Sequence, residues 1–204
     1  MGGLTALPPL YGGLLVGGAS RRMGTPKALL EVGGTTLAER AAAALAPSVE
    51  AVVLLGSGPV PEPLAGLLRV ADAPLGEDGG AAAGEGPLAA LLAALRSRPG
   101  AAWLLCPCDL PAVTPEAVAW LASERRPGRV AILPRPGGRL EPLLAVYEPA
   151  ILPAVEELVA RGGRAPRALA GVPGVHLGTP PPHLAPAWRD ADRPQDLVKG
   201  GTPC

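Results

Sequence analysis

The chain has 204 residues, enough for one domain with a sizeable core, and its 18 basic and 18 acidic residues cancel. That balance gives no bulk attraction to polyanions, which argues against nucleic acid as a partner. Three cysteines supply no paired framework of the secreted kind, and the apolar opening MGGLTALPPLYGGLLVGG is broken by Pro8, Pro9 and glycines, which excludes a signal peptide or membrane span and points to a reducing cytoplasm.

Leu10 to Val16 reads as a buried strand that stops at Gly17, and after a glycine-rich loop Thr36 to Leu45 reads as a helix ended by Pro47. Glu50 to Leu55 and Leu67 to Ala71 are two further short apolar strands. The acidic, glycine-rich segment PLGEDGGAAAGEG is expected to be a mobile loop. Pro87 suits a first helical position, and Leu88, Leu91, Leu92 and Leu95 then fall on one helical face.

Ala101 to Cys106 is apolar at every position, as a central strand of a parallel sheet would be, and CDLP follows at its end. Thr114 is placed to cap a helix from Pro115, with Glu116 in the first turn. Arg129 to Leu133, Leu143 to Tyr147 and a helix from Pro149 to Ala160 continue the alternation, and past Gly171 a proline-rich stretch leads to WRDADRPQDL, read as a loop and a short terminal helix. Strand and helix alternating at this spacing predict βαβ crossovers in an α/β fold: a three-layer α/β/α sandwich on a mostly parallel, Rossmann-like sheet, as one domain over residues 1–204.

The loop leaving the first strand of such a sheet is the usual ligand contact. Here it reads GGASRRMGTPK, whose Gly17 and Gly18 let backbone N–H groups approach phosphate oxygens, while Arg21, Arg22 and Lys27 add positive charge. The loop is neither the GxGxxG dinucleotide fingerprint nor a GxxxxGK[ST] P-loop, and a plain solvated turn with scattered arginines has the same composition. Asp109, at the end of an apolar strand, is read either as a magnesium ligand or as a turn former before Pro111. Cys106 and Cys108 lack the second pair or the histidine that zinc needs, so they are read as packed and inert.

GGASRRMGTPKALLEVGG resembles the signature loop of the nucleotidyltransferases with a glycosyltransferase-A-like fold, and within them that of the molybdenum cofactor guanylyltransferases. WLLCPCDLP, GPLAALLAAL, EPLLAVYEPAILPAVEELVARG and the closing DADRPQDL resemble further parts of that family in the same order, so the likeness spans nearly the whole chain. The resemblance implies nucleotide contacts from Leu15, Val16, Gly17, Gly18, Lys27, Asp72 and Asp109, Mg²⁺ on Asp109, and catalysis by Arg22, Lys27 and Asp109. Asp190 and Asp192 stand where the family commonly has asparagines, which leaves their part in the metal shell open.

The reaction so implied is transfer of GMP from GTP to the terminal phosphate of molybdenum-molybdopterin, with pyrophosphate released to give molybdopterin guanine dinucleotide. The same resemblance implies transient contact with molybdenum-cofactor insertion or acceptor proteins. The paired glycines of the first loop and GPLAAL favour the guanylyl branch over cytidylyl transfer to the same acceptor. Transfer to another sugar or alcohol phosphate and non-catalytic nucleotide binding are the rival readings. Arg135 and Arg139, around a PGG turn, either meet a second anionic substrate or sit on an exposed hairpin, while His176 and His183 are read as surface or packing residues.

Overall fold

The computed structural model describes residues 6–17, 26–73 and 86–191. Strand β1 (Leu10–Leu15) is followed by a small hairpin of β2 (Glu31–Val32) and β3 (Thr35–Thr36), then helix α1 (Leu37–Leu45). Next come β4 (Val52–Leu55), β5 (Arg69–Val70), α2 (Pro87–Ser97) and β6 (Ala102–Pro107). The chain continues through α3 (Pro115–Ser123), β7 (Ala131–Pro134), β8 (Ala145–Tyr147), α4 (Leu152–Ala160) and β9 (Val175–Gly178).

Seven strands form one sheet in the order β5-β4-β1-β6-β8-β7-β9. Strand β8 runs antiparallel to both its neighbours, while every other pairing in the sheet is parallel. The apolar run at β6 therefore pairs in parallel with β1 on one side and antiparallel with β8 on the other. Burial on both faces, which its composition records, does not depend on the direction of a neighbour.

Alternate strand residues serve opposite layers. Leu14, Leu54 and Leu104 pack with residues of α1 and α3, whereas Leu15, Leu55 and Leu105 pack with residues of α2 and α4. The result is a three-layer α/β/α sandwich. Gly13 makes the second interface possible: a Cβ there would lie 2.6 Å from Leu55 Cδ1 and 2.8 Å from Leu105 Cδ2, so its absence lets the two flanking leucines close over β1.

The helix starts follow their capping chemistry. Thr36 and Glu39 form a reciprocal capping box on α1, and Thr114 Oγ1 accepts from the Ala117 N–H at 3.3 Å on α3. Pro47 lies in a 3-10 turn, Ala46–Ser48, that follows α1 directly. The predicted helix from Pro149 begins as a 3-10 turn, Pro149–Ile151, before α4.

Three features depart from the sequence reading. β5 is two residues long rather than five, being an edge strand paired on one side. The β2–β3 hairpin turns through Gly33 and Gly34, both at positive φ. β9 lies inside the stretch read only as proline-rich loop, its half-buried residues forming the opposite edge. The anticipated mobile loop and the terminal helix fall at 74–85 and 192–204, outside the described residues.

Candidate active site

The parallel strands β1, β4, β5 and β6 end at one rim, and the chain changes direction across β1: it moves outward to β4 and β5, then returns to β6 on the other side. Loops diverge at such a switch point and leave a crevice. Here a cleft of about 300 Å³ opens over the ends of β1 and β6, with Val16, Gly17, Lys27, Asp72 and Asp109 among its lining.

Lys27 opens a 3-10 turn, Lys27–Leu29, seated by buried Ala28, with Pro26 fixing the entry. Asp109 follows β6, whose exit is tied to β1 by a hydrogen bond from the Cys108 N–H to the Leu15 carbonyl at 3.3 Å. These two supports bring Lys27 Nζ to 2.9 Å from Asp109 Oδ2 across 82 residues of sequence. Their side chains remain 20% and 24% exposed, so both stay open to the cleft. A further bond, from the Ala191 N–H to the Asp109 carbonyl at 2.9 Å, draws the late segment of the chain to the same place.

The other end of the cleft is different in character. Leu55, Pro59, Pro87 and Ala90 make an apolar wall, Asp72 stands beside it, and α2 begins there with Gly86 at φ 127 before Pro87. The unsatisfied N–H groups and the positive dipole end of this 11-residue helix favour negative charge nearby.

Of the sequence-predicted residues, the cleft brings together Leu15, Val16, Gly17, Lys27, Asp72 and Asp109. Gly18, Arg21, Arg22 and Asp192 lie outside the described residues. Asp190 is exposed and does not line the cleft; it faces Glu141, whose carboxyl is held above its usual range first by burial, with Arg139 opposing and Asp190 adding to the shift. Arg135 donates to the Gly138 carbonyl and Arg139 pairs with Glu141 at 3.0 Å, so neither reaches the cleft, which takes Leu143 from the same connection instead. His176 contacts Glu124 at 3.2 Å and His183 is exposed.

Sequence reasoning did not single out Gly58 and Pro59 as lining residues. GSGPVP reads as an ordinary loop, and only the folded backbone shows Gly58 pressed so close to β1 that a Cβ would lie 1.6 Å from the Val16 carbonyl oxygen. Cys106 is fully buried, and burial pushes its thiol up, with Cys108 and Asp109 adding to the effect. Cys108 lines the cleft, yet burial and then the Asp109 charge push its thiol up to about 12. Neither thiol has the thiolate character that a nucleophile or soft-metal ligand requires.

Magnesium suits this donor set. Among the described residues no three histidine, cysteine or carboxylate side chains cluster as a closed metal site, but a partly exposed carboxylate at the rim of an open cleft suits Mg²⁺, whose shell water and substrate oxygens would complete. Among the described lining residues Lys27 is the one cation beside Asp72 and Asp109, and a divalent ion on Asp109 would add positive charge toward a polyphosphate.

Residues 12–174 match the family model of the MobA-like NTP transferase domain. The chain belongs to the MobA-like NTP transferase family. It is a nucleotidyltransferase. A probable molybdenum cofactor guanylyltransferase of Pelotomaculum thermopropionicum is 38% identical over 146 residues, 72% of this chain and 67% of the relative. A protein of the same description from Bacillus cytotoxicus is 31% identical over 134 residues, 66% of each chain. Among solved structures, molybdopterin-guanine dinucleotide biosynthesis protein A from Archaeoglobus fulgidus superposes with a TM-score of 0.70 at 22% identity, covering 93% of this chain and 96% of that one. The 2-C-methyl-D-erythritol 4-phosphate cytidylyltransferase of Thermus thermophilus gives a TM-score of 0.60 at 24% identity, covering 92% and 95%. At these identities the two structures speak for the MobA-like fold alone.

Proposed function

We propose that this cleft transfers GMP from GTP to the terminal phosphate of molybdenum-molybdopterin, forming molybdopterin guanine dinucleotide and pyrophosphate. The observation that carries the reading is the meeting of Lys27 and Asp109 at the switch point, with an apolar wall and Asp72 at the far end of the same cleft. A purine fits between apolar surfaces, and a carboxylate accepts from the N–H groups that guanine presents. A triphosphate extending from such a base meets the ammonium of Lys27.

In the transfer, an oxygen of the acceptor phosphate bonds to the α-phosphorus of GTP as the bond to the bridging oxygen of pyrophosphate breaks. The attacking phosphate is already ionised near neutrality, so no residue of the chain must remove a proton. The work left to the protein is positioning and charge stabilisation. Lys27 moves from Asp109 to the phosphates and offsets charge gathering on the leaving group, and Arg22 is assigned the same task from the glycine loop. Asp109, released from Lys27, would hold Mg²⁺, which would supply charge neutralisation to the phosphates. Val16 and Gly17 offer the backbone along which the nucleotide lies.

Free thiols at Cys106 and Cys108 agree with the cytoplasm as the compartment, where insertion or acceptor proteins for the product would be met. The deciding experiment incubates the protein with Mg²⁺, molybdenum-loaded molybdopterin and each of the four nucleoside triphosphates, and follows pyrophosphate and dinucleotide. GTP is expected to turn over fastest. CTP in its place would reassign the donor, and no dinucleotide with any donor would refute the assignment.

A further inference from the structure

The apolar end of the cleft is closed by a loop that has almost no side chains of its own. Gly56, Ser57 and Gly58 leave β4, with Gly56 at φ +98 and Gly58 packed on the Val16 carbonyl. A Cβ on Gly56 would lie 3.3 Å from the Gly17 nitrogen and 3.6 Å from Asp72 Oδ1, so this loop touches both the root of the glycine loop and the carboxylate at the base end. Two glycines in three residues have little intrinsic preference for one shape.

The shape is imposed from the edge strand. The Gly56 N–H donates to the Val70 carbonyl at 2.9 Å, and exposed Arg69, cross-strand from Leu54, reaches over the loop. Its Nη1 nitrogen carries two N–H groups, and it donates to the Gly56 carbonyl at 2.8 Å and to the Gly58 carbonyl at 2.9 Å. Charge-assisted bonds from one nitrogen to two carbonyls two residues apart fix the loop as a staple would.

We propose that Arg69 is a positioning residue for nucleotide recognition, holding the 56–58 loop against Val16, Gly17 and Asp72 so that the nucleoside end of the cleft is formed before the ligand arrives. The inference rests on the reading of the cleft as a nucleotide site. Arg69 does not line the cleft and acts only through the loop. Through Asp72 the loop acts chiefly on the nucleoside end, so loss of Arg69 weakens nucleoside binding more than it weakens the contact of phosphates with Lys27.

That difference is the test. Affinities for the best of the four nucleoside triphosphates and for inorganic tripolyphosphate are measured on the full chain and on Arg69→Ala by calorimetric titration. Nucleotide affinity is expected to fall about tenfold, the loss of roughly one charge-assisted contact set, while tripolyphosphate affinity stays within about twofold. Equal loss for both ligands would mean that Arg69 merely supports the fold, and no loss for the nucleotide would mean that the loop holds itself; either overturns the proposal. Should Arg69→Ala not fold, Arg69→Gln, which keeps a donor but not the fork, must show the same split. A wild-type chain that binds tripolyphosphate and no nucleoside triphosphate would refute the underlying reading, a failure visible before any variant is made.

Discussion

An ion pair sits at each end of the sheet, and the two are built differently. At the amino ends of the parallel strands, Arg125 faces Glu148 with two bonds, Nε to Oε1 at 2.6 Å and Nη2 to Oε2 at 3.0 Å, and Nη2 also donates to the Pro8 carbonyl at 2.7 Å. Those side chains are only 8% and 5% exposed. At the carboxyl ends, Lys27 Nζ lies 2.9 Å from Asp109 Oδ2, with the two side chains 20% and 24% open to the cleft. A planar fork sealed from water has nothing to exchange its partner for, whereas a flexible ammonium on an open carboxylate can trade that partner for a phosphate. Similar distances thus mark a structural pair below and, in the proposed reading, the working pair above.

The comparison is broken most forcefully at the lower pair. Arg125→Ala leaves the Glu148 carboxylate buried without its cation, and removing one partner of such a pair costs about 3–5 kcal/mol. Denaturant melts should show that loss, with nucleotide affinity preserved at low temperature. An unchanged midpoint would mean that burial at this end does not make the pair structural. Lys27→Ala should invert the pattern. Turnover is expected to drop about 100-fold, in the range found for loss of a strong electrostatic contact, while stability changes by less than about 1 kcal/mol because Asp109 keeps access to water. Full activity in the purified variant would remove Lys27 from the reaction.

Asp109→Asn sharpens the upper pair further. It keeps the size of the side chain and can still meet Lys27, but it offers the metal a neutral oxygen. Titration of GTP binding against Mg²⁺ should need about tenfold more metal. The same metal dependence in both proteins would show that Asp109 serves only to hold Lys27.

How much of this is legible in the sequence differs between the two ends. The layers are readable because β4, β6 and β7 carry uninterrupted apolar runs, α2 carries leucines at helical spacing, and Thr114 announces its cap on α3. The strand edges are not: β9 is half-buried and flanked by prolines, so its pattern is that of a loop. Lys27 and Asp109 are separately visible as residues at strand exits, and family resemblance links them, but their contact spans 82 residues and exists only in the fold. The Arg125–Glu148 pair has no signal in the sequence, since ERRPGR carries three arginines and nothing marks the one that is buried. Arg69 and Gly58 are invisible for a related reason. Both act through backbone carbonyls, and carbonyls have no sequence.

The smallest expected effect concerns Cys108, which shares the upper cleft with the working pair but should take no part in it. Its neighbour Asp109 repels a second negative charge, and burial does so more strongly; the nearby Lys27 charge opposes them without prevailing. With the thiol pushed up to about 12 from an ordinary value near 9, its thiolate is scarce at neutral pH. In a Cys204→Ser background, so that the thiol outside the described residues is removed, iodoacetamide at pH 8 should leave the native protein unmodified and its activity intact. Rapid labelling with loss of activity would put a reactive nucleophile beside Asp109 and overturn the division of labour drawn above. The sign of the alkaline effect follows from the same cause. Between about pH 9 and 12 the unfolded thiol ionises while the buried one cannot, so the unfolded state releases protons first and stability falls as pH rises through that window. Cys108→Ala removes this titration, and its stability should fall less steeply across the same window.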